Sequence, residues 1–270
     1  MKKTIDFIGI GCQKCGTTSV FNALAQHFFI IPPNGAISGA NLSIEETKRL
    51  QLASKECHYW GRDIRVFGIE TYHKQYWRDF FVNGKFIEDF VYGEFTPNYI
   101  IFEDALKRIK DYNPDIKLLA IFRNPVERLW SEYTMFISYG RYNISFRELI
   151  DKYSDLREPR VKRRTKTETW PIYRSCYGKQ VKRVLDLFDR KNVFFLKMDE
   201  LKKFSATIER IFSFLGVSPM SVPDLKLNKR DNPQEKIPYY EELMDRFFLK
   251  DIELLEDLLG WNCDEWKRCF

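Results

Sequence analysis

The chain has 270 residues, enough for one large domain or two small ones with a sizeable core, which excludes a disulfide-stapled mini-protein. Lys and Arg number 44 against 38 Asp and Glu, a formal charge of +6 with both signs mixed along the chain; this favours phosphate- or sulfate-bearing ligands and excludes a protein that coats nucleic acid. Aromatic residues make up 16%, and 13 Gly with 11 Pro is sparse, so a disordered or low-complexity chain is excluded too.

No internal repeat and no Gly/Ser/Pro-rich linker divides the sequence, so residues 1–270 read as a single domain. The opening stretch imitates a signal peptide, but Asp6 and then Gln13-Lys14 interrupt it, and no run of eighteen apolar residues occurs elsewhere. No membrane span is expected. Six cysteines (Cys12, Cys15, Cys57, Cys176, Cys263, Cys269) are too few for a disulfide framework and point to a reducing, cytoplasmic setting.

Ile5 to Gly11 is a β-branched run that predicts a short buried strand, and Thr17 to Phe28 carries a helical pattern. Between them lies Gly11-Cys12-Gln13-Lys14-Cys15-Gly16-Thr17-Thr18-Ser19. Small and hydroxylated residues at a helix start let backbone N–H groups and the helix dipole converge on an anion, and Lys14 adds a full charge. A Walker loop has lysine directly after its second glycine; here Thr17 holds that position and Lys14 stands two residues before Gly16. Cys12-x-x-Cys15 could be a redox pair or half a zinc site, but no second CxxC or HxxxH completes it.

Lys55-Glu56-Cys57-His58-Tyr59-Trp60 sets a carboxylate and an imidazole two residues apart, on one side of an extended segment, and either is a candidate base. Glu94, in Gly93-Glu94-Phe95-Thr96-Pro97-Asn98-Tyr99, falls at a strand end, where a metal-dependent kinase would carry a carboxylate. His27 and His73 lack such context and read as structural or exposed. Lys117 to Phe122 is a continuous apolar run, expected for a strand buried on both faces, and Asn124-Pro125 starts a helix to about Tyr139. The strand ends in Arg123, not in an Asp that would hold magnesium. A planar guanidinium at a strand's C-terminal end suits a phosphate, and Arg128 and Ser131 follow on one helical face.

The basic stretch Glu158 to Lys166 reads as a surface loop or as a lid for an anionic acceptor. A helix over Tyr173–Asp189, a strand over Asn192–Lys197 and a helix over Ser205–Leu215 follow, then a polar loop and an amphipathic helix from about Tyr239 to Leu259. The alternation predicts an α/β domain with a central parallel sheet flanked by helices.

The loop GCQKCGTTS resembles the 5′-phosphosulfate-binding loop of sulfotransferases that use 3′-phosphoadenosine 5′-phosphosulfate (PAPS), and Arg123 to Tyr133 resembles their 3′-phosphate segment, R-x-P-x-x-R-x-x-S-x-Y. The resemblance, to bacterial and carbohydrate-type members such as heparan sulfate sulfotransferase domains, implies a P-loop-like fold and sulfation of an acceptor hydroxyl on a carbohydrate or small-molecule natural product, with no metal. It implies that Lys14, Cys15, Gly16, Thr17, Thr18 and Ser19 hold the 5′-phosphosulfate, that Arg123 and Ser131 hold the 3′-phosphate, and that Lys229 and Arg230 close over the nucleotide. Ser175-Cys176-Tyr177 is similar to the family's S-x-Y element. The resemblance makes Glu56 the base and Lys14 the stabiliser of the leaving group, with Lys55, His58, Phe95 and Thr96 lining the acceptor. Phe95 departs from a lysine that several carbohydrate-type members carry, which disfavours a highly sulfated polysaccharide. A P-loop-type kinase and a non-catalytic nucleotide-binding protein are the alternatives.

Overall fold

The computed structural model describes residues 3–33, 55–61, 68–77, 80–154, 170–223 and 236–268. The basic stretch from Glu158 and the lid candidates Lys229 and Arg230 lie outside these residues.

Five strands form one parallel sheet in the order β2-β5-β1-β6-β7, with β1 at Phe7–Gly11, β2 at Ile30–Ile31, β5 at Val91–Phe95, β6 at Lys117–Phe122 and β7 at Val193–Lys197. The apolar runs become the inner strands, as expected where helices cover both faces. Every residue of β1 is buried, as is β6 beyond Lys117. A close approach fits β5 to β1: a Cβ on Gly9 would stand 2.1 Å from the Phe95 ring, so only glycine leaves that ring room. A separate antiparallel pair, β3 (Phe81–Val82) and β4 (Lys85–Phe86), turns through Asn83 and Gly84, both at positive φ.

Helix α1 spans Thr17–Leu24, shorter than the pattern to Phe28 predicts. The chain tightens beyond it, with Gln26 N–H donating to Ala23 O and His27 N–H to Leu24 O, and the His27 ring reaches Ser218 O at 2.9 Å. After α2 (Ile69–Tyr76) and α3 (Glu103–Tyr112), α4 (Pro125–Ser138) is capped by Asn124, whose side chain accepts from Val126 N–H and Glu127 N–H, with Pro125 at the first helical position. α5 covers Phe146–Lys152. The helix predicted from Tyr173 is a short 3-10 turn, Tyr173–Ser175, followed by α6 (Tyr177–Leu187). α7 (Phe204–Leu215) follows β7. The predicted C-terminal helix is α8 (Tyr240–Leu243), a π turn over Met244–Phe248 and α9 (Leu249–Leu259). Asp251 on α9 accepts Gly178 N–H at 2.7 Å and so caps α6 from outside.

Because β1 lies between β5 and β6 in a parallel sheet, the C-terminal ends of all three converge on one edge. The loop after β1, Arg123 after β6, and Glu94 and Phe95 on β5 with Thr96 just beyond it therefore meet there. The backbone N–H of Phe95 donates to Lys55 O at 3.0 Å, which brings the 55–58 segment to the same edge.

Candidate active site

The loop from Cys12 to Gly16 turns into α1 through Gly16, at φ 79, and Lys14 also takes a left-handed φ of 70. Thr17 is buried and Thr18 and Ser19 are half-buried in the first turn of α1, where N–H groups lack an acceptor within the helix; Lys14, just before it, is half-buried. The Lys14 ammonium lies 3.5 Å from Met135 Sδ on α4. Cys12 and Cys15 are buried free thiols, and among the described residues no three His, Cys, Asp or Glu side chains group to hold a metal ion. Burial raises the Cys15 thiol, but its hydrogen bond with Cys12 and the charges of Arg128 and Arg123 outweigh that and lower it.

Lys55 crosses to this loop. Its buried ammonium donates to Thr17 Oγ1 at 2.9 Å and Thr18 Oγ1 at 3.2 Å, and lies 3.6 Å from Glu56 Oε1. Burial lowers its pKa from the usual lysine range, with Glu56 opposing. The resemblance assigns Lys55 to the acceptor; the geometry instead turns it to the phosphate loop. Glu56 Oε2 is 3.1 Å from His58 Nε2, and the two side chains are 31% and 44% exposed, open enough to meet a substrate. Burial pushes the Glu56 carboxyl up, yet the His58 hydrogen bond and the Lys55 charge outweigh it and hold the group below the usual carboxylate range. His58 takes a left-handed φ of 53, and its N–H donates to Thr96 Oγ1.

Glu94 has no exposed surface. It accepts from Cys57 N–H at 3.1 Å, Tyr72 OH at 2.9 Å, Thr96 Oγ1 at 2.6 Å and Tyr99 OH at 3.1 Å. Burial pushes its pKa up against those bonds. A carboxylate caged by four donors is no open magnesium ligand, contrary to the kinase alternative. Phe95 and Thr96, expected to line the acceptor, are also fully buried: the Phe95 ring packs on Gly9 below Lys55, and Thr96 joins Glu94 to the His58 backbone. They lie behind the 55–58 segment and bond its backbone. His73, as expected, is structural: its ring meets Tyr112 OH at 2.8 Å, and burial pushes its pKa down to about 4.

Arg123 stands at the end of β6, 28% exposed, with Nη2 2.8 Å from Glu127 Oε2; Ser131 is half-buried two turns along α4. Arg128 points inward and is fully buried, donating to Ser175 Oγ at 2.5 Å and Pro171 O at 2.7 Å and pairing with Glu132 at 2.5 Å. The S-x-Y element thus holds an arginine. Sequence reasoning missed Glu132, Arg174 and Gln13. Arg174 Nη1 donates to Glu132 Oε1 at 2.8 Å and Gln13 Oε1 at 2.6 Å, which joins α4 to the phosphate loop. The i, i+4 spacing of Arg128 and Glu132 is legible in the sequence; the contact of Arg174 with Gln13, 161 residues apart, is not.

A family model described as a sulfotransferase domain matches residues 4–236. The chain belongs to the sulfotransferase family. It is 27% identical over 233 residues to the bifunctional heparan sulfate N-deacetylase/N-sulfotransferase 4 of Mus musculus, covering 81% of this chain and 23% of that relative. A shorter match, 41% over 56 residues, is to heparan sulfate glucosamine 3-O-sulfotransferase 6 of Mus musculus, covering 21% of this chain and 16% of that protein. The chain thus spans less than a quarter of the length of these curated relatives. Among solved structures, a sulfotransferase from Alicyclobacillus acidocaldarius superimposes with a TM-score of 0.71 at 26% identity, covering 98% of this chain and 99% of that one. Family and fold together favour a sulfotransferase site over the kinase alternative. Among the described residues no helix is long and apolar enough to cross a membrane.

Proposed function

We propose that the protein transfers a sulfuryl group from PAPS to a hydroxyl of a carbohydrate or small-molecule natural product. The observation that carries this reading is one chain of polar contacts: Thr17 and Thr18 of the loop after β1 accept hydrogen bonds from the Lys55 ammonium, which lies 3.6 Å from Glu56, which meets His58. A donor-sized anion site and an ionised carboxylate are thus neighbours. In this reading the α1 N–H groups, Lys14 and the hydroxyls of Thr17, Thr18 and Ser19 receive the 5′-phosphosulfate, with Cys15 and Gly16 shaping the turn. Arg123 and Ser131 receive the 3′-phosphate, and Arg123 exchanges its Glu127 partner for it. Lys229 and Arg230 are assigned by resemblance as the basic closure over the nucleotide.

The chemistry then follows from the residues. Glu56 takes the acceptor proton as the new O–S bond forms, and His58 orients that carboxylate and the hydroxyl. As the S–O bond to the 5′-phosphate breaks, Lys14 and the helix N–H groups stabilise the charge that develops on the leaving oxygen, without a metal. Lys55 keeps the loop hydroxyls in register with the base. The heparan sulfate sulfotransferases among the relatives support a carbohydrate acceptor; in this chain Phe95, where several carbohydrate-type members carry lysine, is buried beneath Lys55 and brings no charge toward the acceptor, which suits a neutral sugar or natural-product alcohol. We assign residues 1–270 to one domain, since Asp251 caps α6 and Tyr240 OH lies 2.7 Å from Asn124 Nδ2. Five buried free thiols among the described residues support a cytoplasmic setting.

Incubation with sulfur-labelled PAPS and a panel of sugars and alcohols, read by mass spectrometry, tests this. The reading expects a sulfated acceptor and an equal amount of adenosine 3′,5′-bisphosphate, with chelator present. Tight bisphosphate binding with no transfer to any acceptor would mark a non-catalytic nucleotide-binding protein instead.

A further inference from the structure

Among the described residues, helix α4 reaches the loop after β1 by a direct contact and by a bridge through Arg174. Met135 Sδ meets the Lys14 ammonium, and Glu132 reaches Gln13 through Arg174. The second link is the firmer one: its guanidinium is buried and bonds both partners at 2.6–2.8 Å, and Glu132 is anchored on its other side by Arg128. Gln13 itself is half-buried, directly before the left-handed Lys14. A non-glycine residue at positive φ persists only where its surroundings hold it, and the Gln13 side chain is the loop's grip on the rest of the molecule at that point. Glu132 also follows Ser131 on α4, so one rigid helix carries a 3′-phosphate contact and the anchor of the 5′-phosphosulfate loop.

We propose that Arg174 is a positioning residue for the donor: through Gln13 and Glu132 it sets the phosphate loop at a fixed offset from the 3′-phosphate contacts, so that a nucleotide bearing both anionic groups is bound better than one bearing only the 3′-phosphate. This rests on the donor assignment above. Arg174 need touch no ligand atom. Its effect is on the 5′ end alone, which separates positioning from a general role in stability.

The test is calorimetric titration with two probes, adenosine 3′,5′-bisphosphate and adenosine 3′-monophosphate, on the parent, Gln13→Ala, Arg174→Lys and Arg174→Met. Gln13→Ala cuts the link at its half-buried loop end and leaves the buried ion pairs intact, so it decides the matter even if Arg174→Met fails to fold. The parent should prefer the bisphosphate. Gln13→Ala and Arg174→Met should weaken the bisphosphate about tenfold, the loss of one charge-assisted hydrogen bond, while the monophosphate stays within about twofold. Arg174→Lys should recover part of the loss. A parent-like ratio of the two affinities in Gln13→Ala, or an equal loss for both probes, overturns the proposal. A parent that shows no preference for the bisphosphate refutes the donor assignment itself.

Discussion

Glu56 and Glu94 sit on segments joined by the Phe95 N–H to Lys55 O bond, yet their carboxyl groups meet different surroundings. Glu94 is surrounded by donors from four residues with no access to solvent, and burial raises its pKa. Glu56 is partly open and faces a lysine and a histidine, which outweigh burial and lower it. The contrast teaches that a carboxylate enclosed by neutral donors builds the site, whereas one beside a lysine and an imidazole with an open flank can receive a proton. Thr96 ties the two regions together, since its hydroxyl donates to Glu94 and accepts the His58 N–H.

The comparison breaks most readily at Glu56. Glu56→Gln keeps the size of the side chain but cannot take a proton, so turnover should fall by roughly 10²–10⁴ while bisphosphate affinity by calorimetry stays at the parent's level. Glu94→Gln should do the reverse. An amide N–H₂ now faces hydroxyl donors, and chemical denaturation should report a loss of about 1–3 kcal/mol, with turnover of the folded fraction reduced less than tenfold. His58→Asn should lower turnover about tenfold, because it removes an orienting partner and not the base; a greater loss than in Glu56→Gln would exchange their roles. The smallest effect belongs to Thr96→Val, which cuts the tie between the regions: a loss of about 1 kcal/mol by thermal melting and a few-fold drop in turnover.

Much of this organisation is legible in the sequence, for physical reasons. The buried strand Lys117–Phe122 is a continuous apolar run, and the Asn124-Pro125 cap fixes the start of the next helix. The loop between β1 and α1 stands out in the sequence by its small residues and Lys14. Edge strand β2 and the β3–β4 pair have two residues per strand, too few for a periodic signal. Phe95 reads as an acceptor contact in the sequence, since nothing local shows that Gly9 across the sheet leaves a hole for its ring. Glu94 likewise cannot be separated from a reactive carboxylate until Tyr72, Tyr99 and Cys57 are brought around it by the fold. The link from Arg174 to Gln13 is wholly tertiary.

The most direct test of Glu56 as the base is the pH dependence of kcat/KM for an identified acceptor, taken over the range in which near-UV circular dichroism reports a folded chain. Because His58 and Lys55 lower the Glu56 pKa, the carboxylate remains ionised throughout the range above ordinary carboxylate values and is lost only on acidification below them. The account therefore predicts a rate that stays level from neutral pH down into the ordinary carboxylate range and falls only on acidification below it. A half-maximal rate near pH about 6.5, the range of an imidazole, that persists in Glu56→Gln would contradict it.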